Sequence, residues 1–180
     1  MIEKQPKIIL ETKRLLFRQH VMADMDAFSA MEQDPEVRRY VGGYPRTREE
    51  AERRFLNNIA GPATDKLSMW ATIYKAENKY IGRCGIYPHF DNSGQPIPGE
   101  ASLGLYVASP YWGNGFATEA GNAFIELGFN ELNINRIVTA IQVGNDASVH
   151  VIEKLGFKLV WTETGGFRDF LHYALQNPQK

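Results

Sequence analysis

The stretch "ASLGLYVASPYWGNGFATEA", residues 101–120, decides the fold class, because a strand, a glycine loop and a helix follow one another directly. Its first part alternates apolar side chains, as a strand does when it buries one face: Ala101, Leu103, Leu105 and Val107. Gly113 and Gly115 then interrupt the alternation. From Ala117 onward the apolar spacing becomes helical, with one face formed by Ala120, Phe124 and Leu127.

A second unit of the same kind follows along the chain. "NRIVTAIQV" (135–143) is rich in β-branched residues and predicts a strand. "NDASVHVIEKLG" (145–156) begins with an Asn/Asp cap and ends at Gly156, which predicts a helix. "FKLVWTE" (157–163) and "RDFLHYALQ" (168–176) alternate and predict two closing strands.

The N-terminal part also alternates between strand and helix patterns. "RLLFRQ" (14–19) predicts a strand, and "MADMDAFSAME" (22–32) has helical spacing. Thr47 and Glu50 form a capping box for a helix whose buried face would carry Ala51, Phe55 and Ile59. Gly61-Pro62 should end that helix.

The middle of the chain predicts a hairpin and a long loop. "MWATIYKAENKYIGRCGIYP" (69–88) indicates two strands around the polar turn 76–79. "DNSGQPIPGE" (91–100) is rich in Pro and Gly and is predicted to be a loop. These elements together predict an α+β fold with a mostly antiparallel central sheet flanked by helices. We expect a single domain over residues 1–180, with its core at about 10–176.

Composition narrows the classes of partner. The 180 residues carry a formal net charge of −1, so no global charge favours direct nucleic acid or membrane binding. The only cysteine is Cys84 and the N-terminus has no sustained apolar run, so we expect a cytoplasmic protein. The four histidines are far apart in sequence, and no metal site is expected. Edge strands and the C-terminal strand could pair between copies, which would give a homodimer.

The glycine loop has a physical interpretation. Backbone N–H groups at a helix start lack intrahelical partners and lie at the positive end of the helix dipole, so they can bind phosphate. Glycines leave room for a pyrophosphate to approach these amides. The alternative is a plain tight turn. A nucleotide hydrolase would need Lys-Ser/Thr after the glycines, where this chain has Phe116-Ala117-Thr118, and a dinucleotide fold would need a third glycine at Thr118.

Taken together, the sequence resembles the GNAT N-acetyltransferase superfamily, and within it the Rim-type ribosomal-protein N-terminal acetyltransferases. The resemblance is carried by four motifs: "ETKRLLFRQ", "DPEVRRYVGG", "YWGNGFATEA" and "NDASVHVIEKLGFK". It implies acetyl transfer from acetyl-CoA to an amine by direct attack in a ternary complex. It also implies two splayed strands around the cofactor.

The resemblance assigns cofactor contacts residue by residue. Leu105, Tyr106 and Val107 would line the pantetheine arm and thioester, and Asn145 would hold the cofactor from the far side. The pyrophosphate loop would be Gly113, Asn114, Gly115, Phe116, Ala117 and Thr118. The loop departs from the family pattern at Pro110, which stands where relatives have Gln or Arg.

The same resemblance suggests the catalytic groups. Ile152 occupies the position of the Tyr that serves many relatives as general acid, and Ser148 matches the Ser of Rim-type enzymes. The N–H of Val107 would stabilise the oxyanion. Glu100 would be the base, because Ser102 replaces the Glu of relatives two residues further on. The other candidates considered as catalytic groups are Asp169, His172 and Cys84.

Three functions follow from these observations. The first is an N-acetyltransferase whose acceptor is a protein N-terminal amine or a small amine such as an antibiotic or polyamine. The second is a catalytically weak acetyl-CoA-binding sensor module. The third is an unrelated protein that binds a phosphate ligand at the glycine loop.

Overall fold

Eight strands form one sheet in the described part of the chain, in the order β1-β2-β3-β4-β5-β6-β8-β7. The computed structural model describes residues 5–59 and 66–180. The strands are β1 (Ile8–Glu11), β2 (Leu15–Arg18), β3 (Ser68–Tyr74), β4 (Lys79–Phe90), β5 (Pro96–Val107), β6 (Arg136–Gln142), β7 (Lys158–Glu163) and β8 (Phe170–Gln176). All neighbouring pairs are antiparallel except β5 and β6.

The α-helices of the described ranges are α1 (Met25–Gln33), α2 (Pro35–Arg38), α3 (Arg48–Ile59), α4 (Phe116–Glu126) and α5 (Asp146–Lys154). A single π-helical turn, Leu127–Glu131, extends α4. The predicted α+β class, with a mostly antiparallel sheet and flanking helices, is confirmed. No helix in the described part of the chain is long and apolar enough to cross a membrane.

Local sequence signals explain several helix ends. Thr47 N–H donates to Glu50 Oε2 (2.9 Å) and Glu50 N–H to Thr47 Oγ1 (3.2 Å), so the predicted capping box of α3 forms. At the start of α5, Asn145 Oδ1 accepts from Ser148 N–H. Gly156 has φ +91° just beyond that helix, as a helix end requires. The predicted end at Gly61-Pro62 and the side chain of Ile59 lie outside the described residues.

The prediction of a loop over residues 91–100 was wrong for its second half, because β5 already begins at Pro96. Asp91 Oδ1 accepts hydrogen bonds from the N–H of Ser93 (2.8 Å) and of Gln95 (2.9 Å). This Asx-type turn reverses the chain within a few residues, so Phe90 already pairs with Pro96. The prolines are tolerated because β5 pairs with β6 only from Glu100 onward.

Helices cover both faces of the sheet. On one face, the ring of Phe124 of α4 packs edge-on against Phe17 of β2, with centroids 4.8 Å apart. On the other face, Phe28 of α1 packs against Phe55 of α3 at 5.2 Å, beside the guanidinium of Arg83. The two faces therefore have separate cores, and all buried charged side chains of the described residues lie in the second.

His20 makes the stability of this second core depend on pH. Its ring lies 5.9 Å from Tyr80 and 6.0 Å from Phe55, and its buried Nε2 has no hydrogen-bond partner in the described ranges. Burial lowers the pKa of His20 from 6.5 to about 4, and nearby Arg83 and Arg18 add to this against the opposing effect of Asp24. The imidazole is therefore neutral in the folded chain at pH values where it is protonated in the unfolded chain.

We expect the free energy of unfolding to fall as the pH drops from 6.5 to 4, by about 3 kcal/mol from this residue. The unfolded chain binds the extra proton in that range, so acid favours unfolding. Urea titrations across this range should show a flatter pH profile for His20→Phe than for the wild type. The exposed His150 serves as the control, because His150→Ala should leave the slope unchanged. An equal slope in His20→Phe and the wild type would contradict the assignment.

Candidate active site

Strands β5 and β6 separate along their length and leave a cavity between them. They pair only over three residues, Glu100–Ser102 against Arg136–Val138. At the point of divergence Thr139 Oγ1 donates to the carbonyl oxygen of Leu103 (3.2 Å). Beyond it lies a cavity of about 630 Å³, bordered by the ends of β5 and β6, by α2 and by the starts of α4 and α5. The predicted splay of two strands is thus present.

The backbone edge of β5 faces this cavity. Ala108 N–H donates to the Ile81 carbonyl on β4 (2.8 Å), so residues 81 and 108 form a hydrogen-bonded pair. Hydrogen-bonded and non-hydrogen-bonded pairs alternate along an antiparallel ladder, so the N–H and C=O groups of Leu105 and Val107 point away from β4. The indole N–H of Trp112 donates to the Val107 carbonyl from that side, at 2.7 Å. The edge therefore offers main-chain donors and acceptors to a bound ligand.

The glycine loop lies at the mouth of the cavity, where α4 begins. Gly113 and Gly115 have φ +75° and +76°, in the left-handed region that favours glycine. Gly115 is the N-cap of α4 and no side chain caps this helix start. Within the described ranges, the N–H groups of residues 113–118 donate to no backbone or side-chain acceptor. These six adjacent amides, which we call the amide cradle, are therefore available to an anion.

Arg14 holds this loop from a distant part of the sequence. Its Nη1 donates to the Asn114 carbonyl (2.9 Å), and its guanidinium lies 4.4 Å from the centroid of the Phe116 ring. Its Nε donates to Glu119 of α4 at 2.6 Å. Arg14 thus places a guanidinium group, paired with Glu119, beside the loop whose motif has Pro110 in place of Gln or Arg. Sequence reasoning missed this residue, because no local pattern links positions 100 residues apart.

Helix α5 contributes its first turn to the cavity. Asn145 and Ser148 both line it, and the hydroxyl of Ser148 makes no hydrogen bond to the described residues. Asn145 Oδ1 is occupied by the cap to Ser148 N–H at 3.3 Å, so its amide group remains for a ligand. Ser148 is therefore a hydroxyl donor held at a fixed helix start.

Glu100 lies elsewhere on β5, outside the cavity lining. Its Oε1 accepts from Arg136 Nη1 at 3.0 Å. Its Oε2 is buried without a hydrogen-bond partner among the described residues, 3.9 Å from His89 Nε2. The carboxylate therefore lies in an ion pair at the paired end of β5 and β6, away from the divergent end that carries Val107.

The remaining candidates are placed outside the cavity lining. Burial raises the pKa of the Cys84 thiol to about 11, so the thiol is protonated at neutral pH. His172 stacks on Trp161 with centroids 4.0 Å apart, and its Nε2 is 2.9 Å from Glu163 Oε2. Asp169 accepts from Gly165 N–H on the neighbouring loop. No group of three or more potential metal-binding side chains occurs in the described ranges.

The predicted site residues fall into three sets. The structure brings seven of them together in the cavity lining: Leu105, Tyr106, Val107, Gly113, Ala117, Asn145 and Ser148. The other members of the loop adjoin them, but Phe116 has its side chain buried in the core and offers only its backbone. Glu100 is separate.

The sequence and fold were compared with those of known proteins. The sequence model described as "Acetyltransferase (GNAT) domain" matches residues 14–158. The uncharacterised protein YkkB of Bacillus subtilis (strain 168) is 33% identical over 156 residues, covering 83% of this chain and 85% of YkkB. The uncharacterised N-acetyltransferase p20 of Bacillus licheniformis is 30% identical over 162 residues, covering 89% of this chain and 86% of p20.

Solved structures share the fold. A GNAT-family acetyltransferase from Bacillus anthracis superposes with a TM-score of 0.80 at 22% identity, over 95% of this chain and 99% of that one. RimL, a ribosomal L7/L12 α-N-protein acetyltransferase, superposes with a TM-score of 0.77 at 20% identity. The superposition covers 95% of this chain and 94% of that one. A spermidine N-acetyltransferase from Vibrio cholerae, in complex with CoA and spermine, superposes with a TM-score of 0.72 at 18% identity. The superposition covers 92% of this chain and 97% of that one. With the family match over most of its length, the chain belongs to the GNAT acetyltransferases, acyltransferases whose family uses acetyl-CoA.

Proposed function

We propose that this protein transfers the acetyl group of acetyl-CoA to a primary amine by direct attack in a ternary complex. The observation that carries the proposal is the open cavity between β5 and β6, with the unpartnered amides of residues 113–118 at its mouth. A cleft with a free strand edge and an amide cradle fits a long ligand that carries a pyrophosphate.

The residues present fit coenzyme A. The amides of the glycine loop would hold the pyrophosphate, and a Cβ atom added at Gly113 would meet no atom within 4 Å, so the cradle is open. The free edge of Leu105 and Val107 would pair with the amide groups of the pantetheine arm. Asn145 would contact the arm from α5. When bound, acetyl-CoA supplies a thioester carbon open to attack and a thiolate leaving group.

Two groups of this chain would assist the reaction, one by stabilising the oxyanion and the other by donating a proton. The N–H of Val107, which points away from β4, would donate to the developing oxyanion. The free hydroxyl of Ser148 would give a proton to the departing sulfur. Both groups are fixed by secondary structure, the first by the β4–β5 ladder and the second by the Asn145 cap.

The general base stays a prediction. Glu100, the residue that the resemblance suggests, would have to act through water from its ion pair with Arg136. The single-domain organisation, the homodimer and the cytoplasmic location also stay predictions. β7, whose residues are all exposed, is the edge strand where a second copy could pair.

For the acceptor we propose a protein N-terminal amine of the ribosomal-protein type or a small amine. The first choice is supported by the fold shared with RimL and the second by that shared with the Vibrio cholerae spermidine enzyme. One observation favours the alternative of a catalytically weak acetyl-CoA-binding module. Ile152, at the position where many relatives have a Tyr, is only 4% exposed and has no proton to give.

Calorimetric titration with acetyl-CoA, followed by thiol release in a screen of primary amines, tests the proposal. We expect saturable binding with one site per chain, and thiol release only when an amine is present. Binding without amine-dependent release would support the sensor module instead. If acetyl-CoA does not bind, the glycine loop is only a turn and the transferase proposal fails.

A further inference from the structure

A second concave site lies at the start of α3, on the face of the sheet that carries α1. Its volume is about 260 Å³, and it is lined by Arg46, Glu50, Arg53, Arg54 and Asn57. We call it the arginine pocket. Three of its five lining residues are arginines, which gives it a surplus of positive charge.

Further arginines surround the buried carboxylate of Glu32, which contacts Arg46 of the pocket. Glu32 of α1, with a side chain only 3% exposed, accepts hydrogen bonds from three guanidinium groups. Its Oε2 accepts from Arg38 (3.1 Å) and Arg46 (2.9 Å), and its Oε1 accepts from Arg83 (2.8 Å). One carboxylate therefore faces three arginines, two of which are almost fully buried.

Two more arginines of α3, Arg53 and Arg54, line the pocket with exposed side chains. Arg53 and Arg54 make no hydrogen bond or ion pair with the described residues. Burial lowers the pKa of the Arg54 guanidinium, and the positive charges of Arg83 and Arg46 lower it further against the opposing effect of Glu32. Glu50 offsets part of this charge, but its Oε2 already accepts from Thr47 N–H. Five guanidiniums thus share two carboxylates.

Such an arrangement is costly without a counterion. Guanidinium groups remain protonated at all ordinary pH values, so the cluster cannot relieve repulsion by losing protons. The like charges of Arg38, Arg83 and Arg46, which are buried or half-buried around one carboxylate, raise the free energy of the folded chain. A carboxylate or phosphate in the pocket would offset this cost, since planar guanidiniums bind both groups through paired hydrogen bonds.

A chain of side-chain contacts runs from the arginine pocket to the wall of the cavity between β5 and β6. Arg46 in the pocket is joined through Glu32 to Arg83. The guanidinium of Arg83 lies 5.0 Å from the ring centroid of Tyr106, which lines the larger cavity. Arg54 of the pocket also interacts electrostatically with Tyr106, so the arginines lie on the Tyr106 side of an acceptor whose amine is near Val107.

We propose that the arginine pocket binds an anionic group, a carboxylate or a phosphate, on the acceptor amine. The inference rests on the proposed acetyl transfer and specifies its substrate class. Polyamines carry only positive charge and would be repelled by the cluster, whereas amines that also carry an acidic group would be favoured.

Anion titrations test the pocket without turnover. Inorganic phosphate and succinate are titrated calorimetrically at constant ionic strength, with coenzyme A both absent and saturating, so that the glycine loop cannot account for binding. We expect at least one anion to bind the wild type, and Arg54→Gln to weaken that binding at least about tenfold. Arg48→Gln is the matched control, because Arg48 lies on the same helix but pairs with Asp26 and Glu52. Equal binding in Arg54→Gln and the wild type, or no anion binding, would overturn the proposal.

Turnover with matched acceptors tests its link to the reaction. The pairs are O-phosphoethanolamine with ethanolamine, and the peptide Ser-Asp-Glu-Ala with Ser-Asn-Gln-Ala. In the wild type we expect the acidic member of at least one pair to have a KM about tenfold lower, and Arg54→Gln to remove the difference at unchanged kcat. The preferred pair identifies phosphate or carboxylate as the ligand.

The outcomes separate this inference from the proposed function. Turnover of neutral amines at the same KM as acidic ones would leave acetyl transfer intact and overturn the anionic acceptor. If no amine is acetylated in either pair, the anion titration decides whether the pocket binds anions. Loss of acetyl-CoA binding in the wild type would contradict the transferase itself.

Discussion

Replacing Gly115 by Glu is expected to weaken coenzyme A binding by about 100-fold or more, which corresponds to about 2.7 kcal/mol. Gly115 caps α4 with φ +76°, and its N–H is one of the unpartnered amides of the cradle. A carboxylate at this position would compete with the pyrophosphate for these donors and repel it. Calorimetric titration with coenzyme A measures the effect.

Gly94→Glu is the matched control for backbone strain. Gly94 has φ +78° in the turn between β4 and β5, and a Cβ atom there would meet no atom within 4 Å. Each variant should lose about 1–2 kcal/mol of stability, because a side chain disfavours the left-handed conformation. Only Gly115→Glu should lose coenzyme A affinity. Equal affinity in the two variants would show that the glycine loop does not hold the pyrophosphate.

Replacing Ser148 by Ala is expected to lower kcat about 100-fold while acetyl-CoA affinity stays within about twofold of the wild type. The hydroxyl of Ser148 is the proposed proton donor, and removing it leaves the hydrogen bond from Ser148 N–H to Asn145 Oδ1 in place. The loss should therefore appear in the chemical step. Steady-state kinetics with a saturating amine, together with calorimetric binding of acetyl-CoA, separates the two quantities.

Two further variants serve as controls for the effect of Ser148→Ala. His150→Ala alters an exposed residue of the same helix and should keep the wild-type kcat. Ser148→Cys restores a proton donor and should recover part of the lost rate. A wild-type kcat in Ser148→Ala would mean that another group protonates the sulfur. Absence of amine-dependent turnover in both the wild type and Ser148→Ala would favour the sensor module.

Much of the site could be predicted from local sequence, because it is built from helix starts and one strand. The alternation from Ala101 to Val107 predicts the strand whose free edge lines the cavity. Gly113 and Gly115 predict the amide cradle, since few other residues adopt their positive φ. The Asn145 cap predicts the first turn of α5 and with it the placement of Ser148.

Other parts could not be predicted, since they depend on residues far apart in the chain. The prediction of a loop was wrong for residues 96–100, because the Asx turn at Asp91 reverses the chain within a few residues and β5 begins at Pro96. Glu100 shares a strand with Val107, but its pairing with Arg136 depends on the short parallel contact of β5 with β6. A side chain's partner across a sheet follows from strand order, which one sequence does not encode in any local pattern.

The sequence by itself determined the order of strands β2 to β8, the glycine loop and the family, because capping, alternation and backbone conformation act within a few residues. It did not predict the short elements β1 and α2. Only the tertiary structure decided where β5 and β6 separate, how Arg14 reaches the loop, and that Glu32 pairs with three arginines. Those features arise from long-range packing. Their contacts join residues that the chain brings together only when the whole sheet has formed.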